Sequence, residues 1–322
     1  MAWRKIKKTS DHSASKSGGS PDFTGQYDYG KLVDEEIEEY CNIEVTGDLR
    51  EGGVHALKAW DYWFAFLARN VWKTDFAREV VEYANTLTNP RVLSLGCGYG
   101  GHELGIAKSL TPPFEIVGVD LNPHIFSRAR DEAREASLNI RFETGDLNFL
   151  RIDEDHFDVI YAHASLHHVI NLERLMLQIQ RALKKAGRFI VADMIGENRS
   201  LFWKENRRFA AEVIRKMPSR YKSFGYTIDR LRRSLNLVRG MEGIRQEEIE
   251  PEILRYFTPL KCFKYGSFIR MICANKYIGA NIDPGIEEDR LYLESLFRLD
   301  LEQIELGRLR PTEMFAVFRH SD

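Results

Sequence analysis

The chain has 322 residues, with 46 basic and 48 acidic side chains and a formal charge of -2. That length buries a substantial core and suits one α/β domain with a lid or insertion as well as two domains. The near-balance of charge gives no push toward nucleic acid, no segment has the apolar length of a membrane span, and the scattered Cys41, Cys97, Cys262 and Cys273 suggest neither a zinc site nor a disulfide framework. The basic start, "MAWRKIKKTSDHSASKSGGSPDF", has no apolar stretch behind its charges, so it does not read as a signal peptide, and a reducing, cytoplasmic setting is expected.

Residues 1–25 read as a mobile tail, rich in Ser, Lys, Gly and Asp. Residues 26–90 read as an N-terminal helical cover: "KLVDEEIEEY" has helical spacing, His55–Trp72 is a strongly aromatic helix, and "DFAREVVEYANTL" is amphipathic until "TNP" breaks it. From residue 91 to 195 apolar strands alternate with helices. The strands are "RVLSLG", "EIVGVDLN", "IRFETGDL", "FDVIYAHAS" and "GRFIVADMI"; the helices between them are "GGHELGIAKSL", "IFSRARDEAREAS" and "NLERLMLQIQRALKK". Such an alternation predicts a parallel sheet covered on both faces, with ligands at the carboxyl ends of the strands. Residues 196–255 read as a helical insertion that carries many Arg and Lys. Residues 256–322 return to the core through "LKCFKYGSFIRMICA", "EEDRLYLESLFRLDLEQIELG" and a last strand, "TEMFAVFRH".

The stretch "VLSLGCGYGGHELGIAK" (Val92–Lys108) is the richest in chemistry. Gly96, Gly98 and Gly101 fit the G-x-G-x-x-G of dinucleotide sites, whereas Gly96, Gly98 and Gly100 fit the G-x-G-x-G of methyl-donor sites. In either case residues without Cβ let the backbone approach a ligand at the positive end of the next helix. Asp120, about 20 residues on at the tip of the next strand, can take ribose hydroxyls for either cofactor. Asp146 at the end of the third strand separates the two, because methyl donors have their adenine amino group bound there.

With those motifs in order, residues Val92–Ile195 resemble the class I S-adenosylmethionine (SAM)-dependent methyltransferases. The resemblance implies a Rossmann-like, doubly wound α/β sheet of seven strands, the last antiparallel, with "TEMFAVFRH" in that place. It assigns Gly96, Cys97, Gly98 and Gly100 to the methionine end of the donor, Asp120 and Leu121 to its ribose, and Asp146 and Leu147 to adenine. S-adenosyl-L-homocysteine (SAH) is then the product. Ser94 departs from the family, which commonly has an acidic residue two before the first glycine; its hydroxyl is left to meet the donor's amino group. Gly101 then reads as a helix-packing glycine.

Methyl transfer from a sulfonium is an in-line displacement that requires no metal, and none is assigned. A hydroxyl acceptor without a metal calls for a nearby base. In "HASLHH", His167 and His163 are the candidates, His163 also lying beside the donor; Glu197 in "MIGENRS" is a third, with a helix-capping role as its alternative. The aromatic set Trp60, Tyr62, Trp63 and Phe64, with Tyr27 and Tyr29, reads as core, as a lid over the acceptor or as a homodimer face. The basic helix (Lys204, Arg207, Arg208, Arg215, Lys216) reads as a solvated face or a clamp on an anionic acceptor. The expected activity is O-methylation of a sugar, lipid-linked sugar or secondary metabolite. N- or C-methylation of a small molecule, including an anionic one, and a non-catalytic SAM-binding protein are the alternatives.

Overall fold

The computed structural model describes residues 22–45, 57–199, 202–223 and 240–321. Most of the expected tail, the first residues of the aromatic helix and residues 224–239 of the insertion lie outside them. Seven strands, β1 (Arg91–Leu95), β2 (Glu115–Asp120), β3 (Ile140–Thr144), β4 (Phe157–His163), β5 (Leu183–Met194), β6 (Phe257–Tyr265) and β7 (Glu313–His320), form one sheet in the order β3-β2-β1-β4-β5-β7-β6. β7 pairs antiparallel to both of its neighbours, while β1 to β5 pair in parallel.

The near-continuous apolar runs of the strands follow from burial on both faces. Val92, Ile116, Val159 and Ile190 point into one core, and Leu93, Val117, Ile160 and Val191 into the other. The period of two thus divides each strand between two hydrophobic layers. Ten α-helices appear among the described residues. In chain order α1 (Tyr29–Val45), α2 (Lys58–Leu67) and α3 (Phe76–Ala84) precede the sheet. α4 (Gly101–Ala107), α5 (Ser127–Glu135) and α6 (Leu172–Ala182) are its crossovers. α7 (Lys204–Lys216), α8 (Ile249–Leu254), α9 (Arg270–Cys273) and α10 (Glu287–Glu305) follow β5.

Two local expectations change. "LKK" (Leu183–Lys185) belongs to β5 rather than to the helix before it, because Asp155 and His156 donate their amides to the carbonyls of Arg181 and Ala182 at 2.8 Å and end α6 there. Trp60, Trp63 and Phe66 of α2 are buried in the core, with Trp63 and Trp72 packed on Tyr265 of β6. Tyr62 donates to Glu294 at 2.7 Å. That aromatic face is therefore filled from within and is neither the lid nor a free dimer surface. α7 buries Asn206, Ala210 and Ile214 and exposes Lys204, Arg208, Arg215 and Lys216, the solvated-face reading. Among the described residues no helix is long and apolar enough to cross a membrane.

Candidate functional site

After β1 the chain turns through three left-handed glycines, Gly96 (φ 68°), Gly98 (φ 52°) and Gly100 (φ 77°), a region costly for residues with a Cβ. Their surroundings differ. A Cβ on Gly96 would lie 2.4 Å from that of Ser165, and one on Gly100 2.7 Å from Ala129 and the Phe142 ring, whereas one on Gly98 would meet nothing within 4 Å. Gly96 and Gly100 are glycine because of packing; Gly98 presents bare backbone to open space. Gly101 is exposed, and a Cβ there would also touch nothing, so it is not the packing glycine expected from the spacing.

Gly98 borders a cleft, open to solvent, at the carboxyl ends of β1, β2 and β4 and beside the loop after β3. The strand order reverses between β1 and β4, the place where open α/β sheets bind ligands. Asp120 and Leu121, and Asp146 and Leu147, line it. Asp120 accepts the amides of Gly98 at 2.9 Å and Asn122 at 3.0 Å, and burial pushes its carboxyl above the ordinary range. Asp146 accepts from the Asn148 amide at 2.9 Å and the Tyr29 hydroxyl at 2.5 Å. Burial and then Asp146 raise the Tyr29 phenol, so it acts as a donor.

α1 closes the cleft and is the real cover. Glu36, Ile37 and Tyr40 form its inner face. It is tied down by polar bonds: Tyr99 donates to the Tyr40 carbonyl at 2.5 Å, Asn148 to the Tyr29 hydroxyl at 3.0 Å, and the Met241 amide to Glu36 at 3.0 Å. The segment before it is held by Asn171, which accepts the Phe23 amide at 2.8 Å.

The histidines are not distributed as expected. His167 is buried and outside the cleft wall. Its Nδ1 lies 2.5 Å from Asp193, and its Nε2 3.4 Å from Glu242. Burial disfavours its charge, but Asp193 and Glu242 outweigh that and push it up to about 10, so it is held as a cation and is no general base at neutral pH. Asp193 also accepts the amides of Ser165 at 2.9 Å and Leu166 at 2.7 Å. The pair thereby fixes the turn in which Ala164 adopts a left-handed φ of 50°. His163 packs on the rings of His102 and Phe76, at 4.2 and 4.9 Å, and does not line the cleft. His168, the least favoured of the three from sequence, does line it, with Nδ1 2.7 Å from Glu36 and Nε2 3.5 Å from the Tyr40 hydroxyl.

Three other candidates fall outside the cleft wall. Glu197 is half-buried, its carbonyl accepting from Gln246, and it does not cap α7, which begins at Lys204. Cys97 packs behind the loop against Gly118. Ser94 is buried and donates to Glu103 at 2.6 Å, so its hydroxyl is already committed. Tyr161 donates to the same Glu103 oxygen at 2.7 Å, and burial raises that carboxyl. Glu103 is thus a buried partner of Ser94 and Tyr161 and does not line the cleft. Sequence reasoning missed it because it comes from α4, and missed Glu36 and Tyr40 because helical spacing marks α1 as part of the cover without showing which of its side chains turn inward.

The site fits SAM on its own geometry: bare backbone at Gly98 and carboxyl groups at the next two strand ends. A profile described as "Methyltransferase domain" matches residues 87–258, just over half of the chain. The chain belongs to that family. Its sheet order and antiparallel β7 are those of the class I, SAM-dependent methyltransferases. Phosphoethanolamine N-methyltransferase 1 of Arabidopsis thaliana is 29% identical over 116 residues, 36% of this chain and 23% of that protein. The 2-phytyl-1,4-naphtoquinone methyltransferase of Synechococcus elongatus is 30% identical over 132 residues, 40% and 55% of the two chains. The match therefore spans about a quarter to a half of these relatives' length. An S-adenosylmethionine dependent methyltransferase from Mesorhizobium loti aligns in structure over 83% of this chain and all of its own, at 18% identity and a TM-score of 0.42.

Proposed function

We propose that the chain transfers a methyl group from SAM to a small-molecule acceptor, with a hydroxyl oxygen of a sugar, lipid-linked sugar or secondary metabolite as the receiving atom. One observation carries this reading: Gly98, Asp120 and Asp146, from three successive strand ends, border a single cleft under α1. SAM supplies an electrophilic methyl on a sulfonium. Gly98 gives the backbone approach for its methionine end, Asp120 accepts from its ribose hydroxyls, and Asp146 with Leu147 takes adenine. α1 excludes water, which strengthens each polar contact beneath it. His168, beside Glu36 and Tyr40, is the imidazole at the wall that an acceptor hydroxyl would meet.

N-methylation is the second reading. It is favoured by the carboxyl groups of Glu36 and Glu242 on either side of His168, which suit an ammonium-bearing acceptor, and by the activity in the name of the Arabidopsis relative. Titration calorimetry with SAM, SAH and NADH tests the donor. Micromolar binding of the adenosyl pair alone supports the proposal and opens a screen of hydroxyl and amine acceptors; binding of NADH alone overturns it.

A further inference from the structure

His167 and His168 are consecutive, yet both turn Nε2 toward one oxygen. The Glu242 Oε2 atom lies 3.4 Å from His167 Nε2 and 3.3 Å from His168 Nε2. One donor atom from each of the three residues fits within a span of 4.8 Å. Bonds of about 2.0–2.2 Å from a divalent transition ion to nitrogen and oxygen put neighbouring ligands roughly 3–3.5 Å apart. The two distances to Glu242 are already in that range, and the third lies within 4.8 Å.

The far side of each ring carries the second observation. His167 Nδ1 lies 2.5 Å from Asp193 and His168 Nδ1 2.7 Å from Glu36. Asp193 behind His167 fixes that ring's orientation, so that a cation displacing the Nε2 proton would meet a pre-oriented lone pair, the arrangement that supports metal-bound histidines; Glu36 lies close to His168 Nδ1 without hydrogen-bond geometry. The two rings converge on one carboxyl group, and the residues come from different parts of the chain: Glu36 on α1, His167 and His168 after β4, Asp193 on β5, and Glu242 within the insertion. The Glu242 side chain is 32% exposed, which leaves a way in, and His168 borders the donor cleft.

We infer that His167, His168 and Glu242 bind one divalent first-row transition cation, of the zinc, cobalt or manganese kind, at the wall of the donor cleft. Two imidazoles and one carboxyl group are a borderline donor set that favours these ions over magnesium and calcium. Three protein ligands leave a coordination position for water or for an oxygen of the acceptor. The inference rests on the proposed function in one respect: the acceptor would meet the cation rather than the bare imidazole of His168.

The test uses the full chain, treated with chelator and titrated with Co²⁺ while its visible absorption is followed, then with Zn²⁺ in competition. One Co²⁺ per chain with ligand-field bands, displaced by Zn²⁺, is expected. Glu242→Gln should weaken binding at least tenfold, and Glu242→Asp, which keeps a shorter carboxyl group, by less. Glu247→Gln, outside the cluster, should leave it unchanged. SAH titration of each variant reports whether its cleft is still formed; where Glu242→Gln does not fold, the Glu242→Asp weakening decides. A wild-type chain that binds SAH but gives no Co²⁺ spectrum overturns the inference and makes the cluster a proton-held lock. Undiminished binding in Glu242→Gln also overturns it, by placing the ion elsewhere, as at the exposed Cys262. A Co²⁺ spectrum without SAH binding would sink the donor reading and leave the cation site standing.

Discussion

Gly98→Ala and Gly100→Ala form a pair that separates the fold of the glycine loop from its binding. Both residues are left-handed, where a Cβ costs about 1–2 kcal/mol. For Gly98 that is the whole structural cost, because the new methyl would meet no protein atom within 4 Å. The same methyl would project where we place the donor, and a tenfold or greater loss of SAH affinity, ~1.4 kcal/mol or more, is expected. For Gly100 the methyl would lie 2.7 Å from Ala129 and from the Phe142 ring, both buried. Overpacking of this kind adds about 1–3 kcal/mol, for a total of roughly 2–5 kcal/mol. Denaturant unfolding with and without SAH, beside calorimetry, resolves the two. Gly98→Ala should unfold close to wild type and bind poorly; Gly100→Ala should unfold early. Unchanged SAH affinity in a folded Gly98→Ala would refute the placement of the donor, and a wild-type midpoint for Gly100→Ala would refute the packing argument.

Asp120→Ala removes a charge-assisted acceptor, worth ~1.5–3 kcal/mol, and should weaken SAH at least tenfold; equal affinity by calorimetry would remove the ribose assignment. Tyr29→Phe deletes the donor to Asp146 and the acceptor of Asn148, which should cost about 1–2 kcal/mol in denaturant titrations; an unchanged midpoint would mean the bonds merely replace water. Asp300 is buried in α10, where it accepts the amides of Ser267 and Ile269, and burial raises it to about 6. A carboxyl whose folded value lies above its unfolded one stabilises below about 3.8, and that contribution is lost as pH rises through about 6. Relative to Asp300→Asn, wild type should therefore lose up to ~3 kcal/mol of stability between pH 4 and 7. Parallel pH profiles for the two proteins would disprove it.

The strands and the three carboxyl-end positions were legible because each rests on local signals: apolar runs, a glycine loop, and an acid at a strand tip; the antiparallel last strand came only from the family resemblance. Side-chain roles that depend on distant elements were not. Ser94 looks available in sequence, yet Glu103 comes from the next helix to take its hydroxyl. Trp60 and Trp63 look like a lid until β6 and β7, some two hundred residues later, bury them. α1 reads as part of the N-terminal cover, but nothing in its spacing singles out Glu36, which accepts the Met241 amide and lies beside His168.

The histidines show most clearly where sequence reading ends. "HASLHH" offers three equivalent imidazoles, and proximity to a strand end favours His163 and His167. What decides among them is the company each ring keeps. Aromatic rings surround His163, Asp193 holds the charge on His167, and only His168 reaches the cleft wall. None of those partners is within reach along the chain: Asp193 is on the adjacent strand, Glu36 on the cover and Glu242 within the insertion. The same three-way convergence that removes His167 as a base is what gives two neighbouring histidines a shared carboxyl group. A motif can nominate residue types for a site, but the proton or cation each will hold is set by groups that only the folded chain brings together.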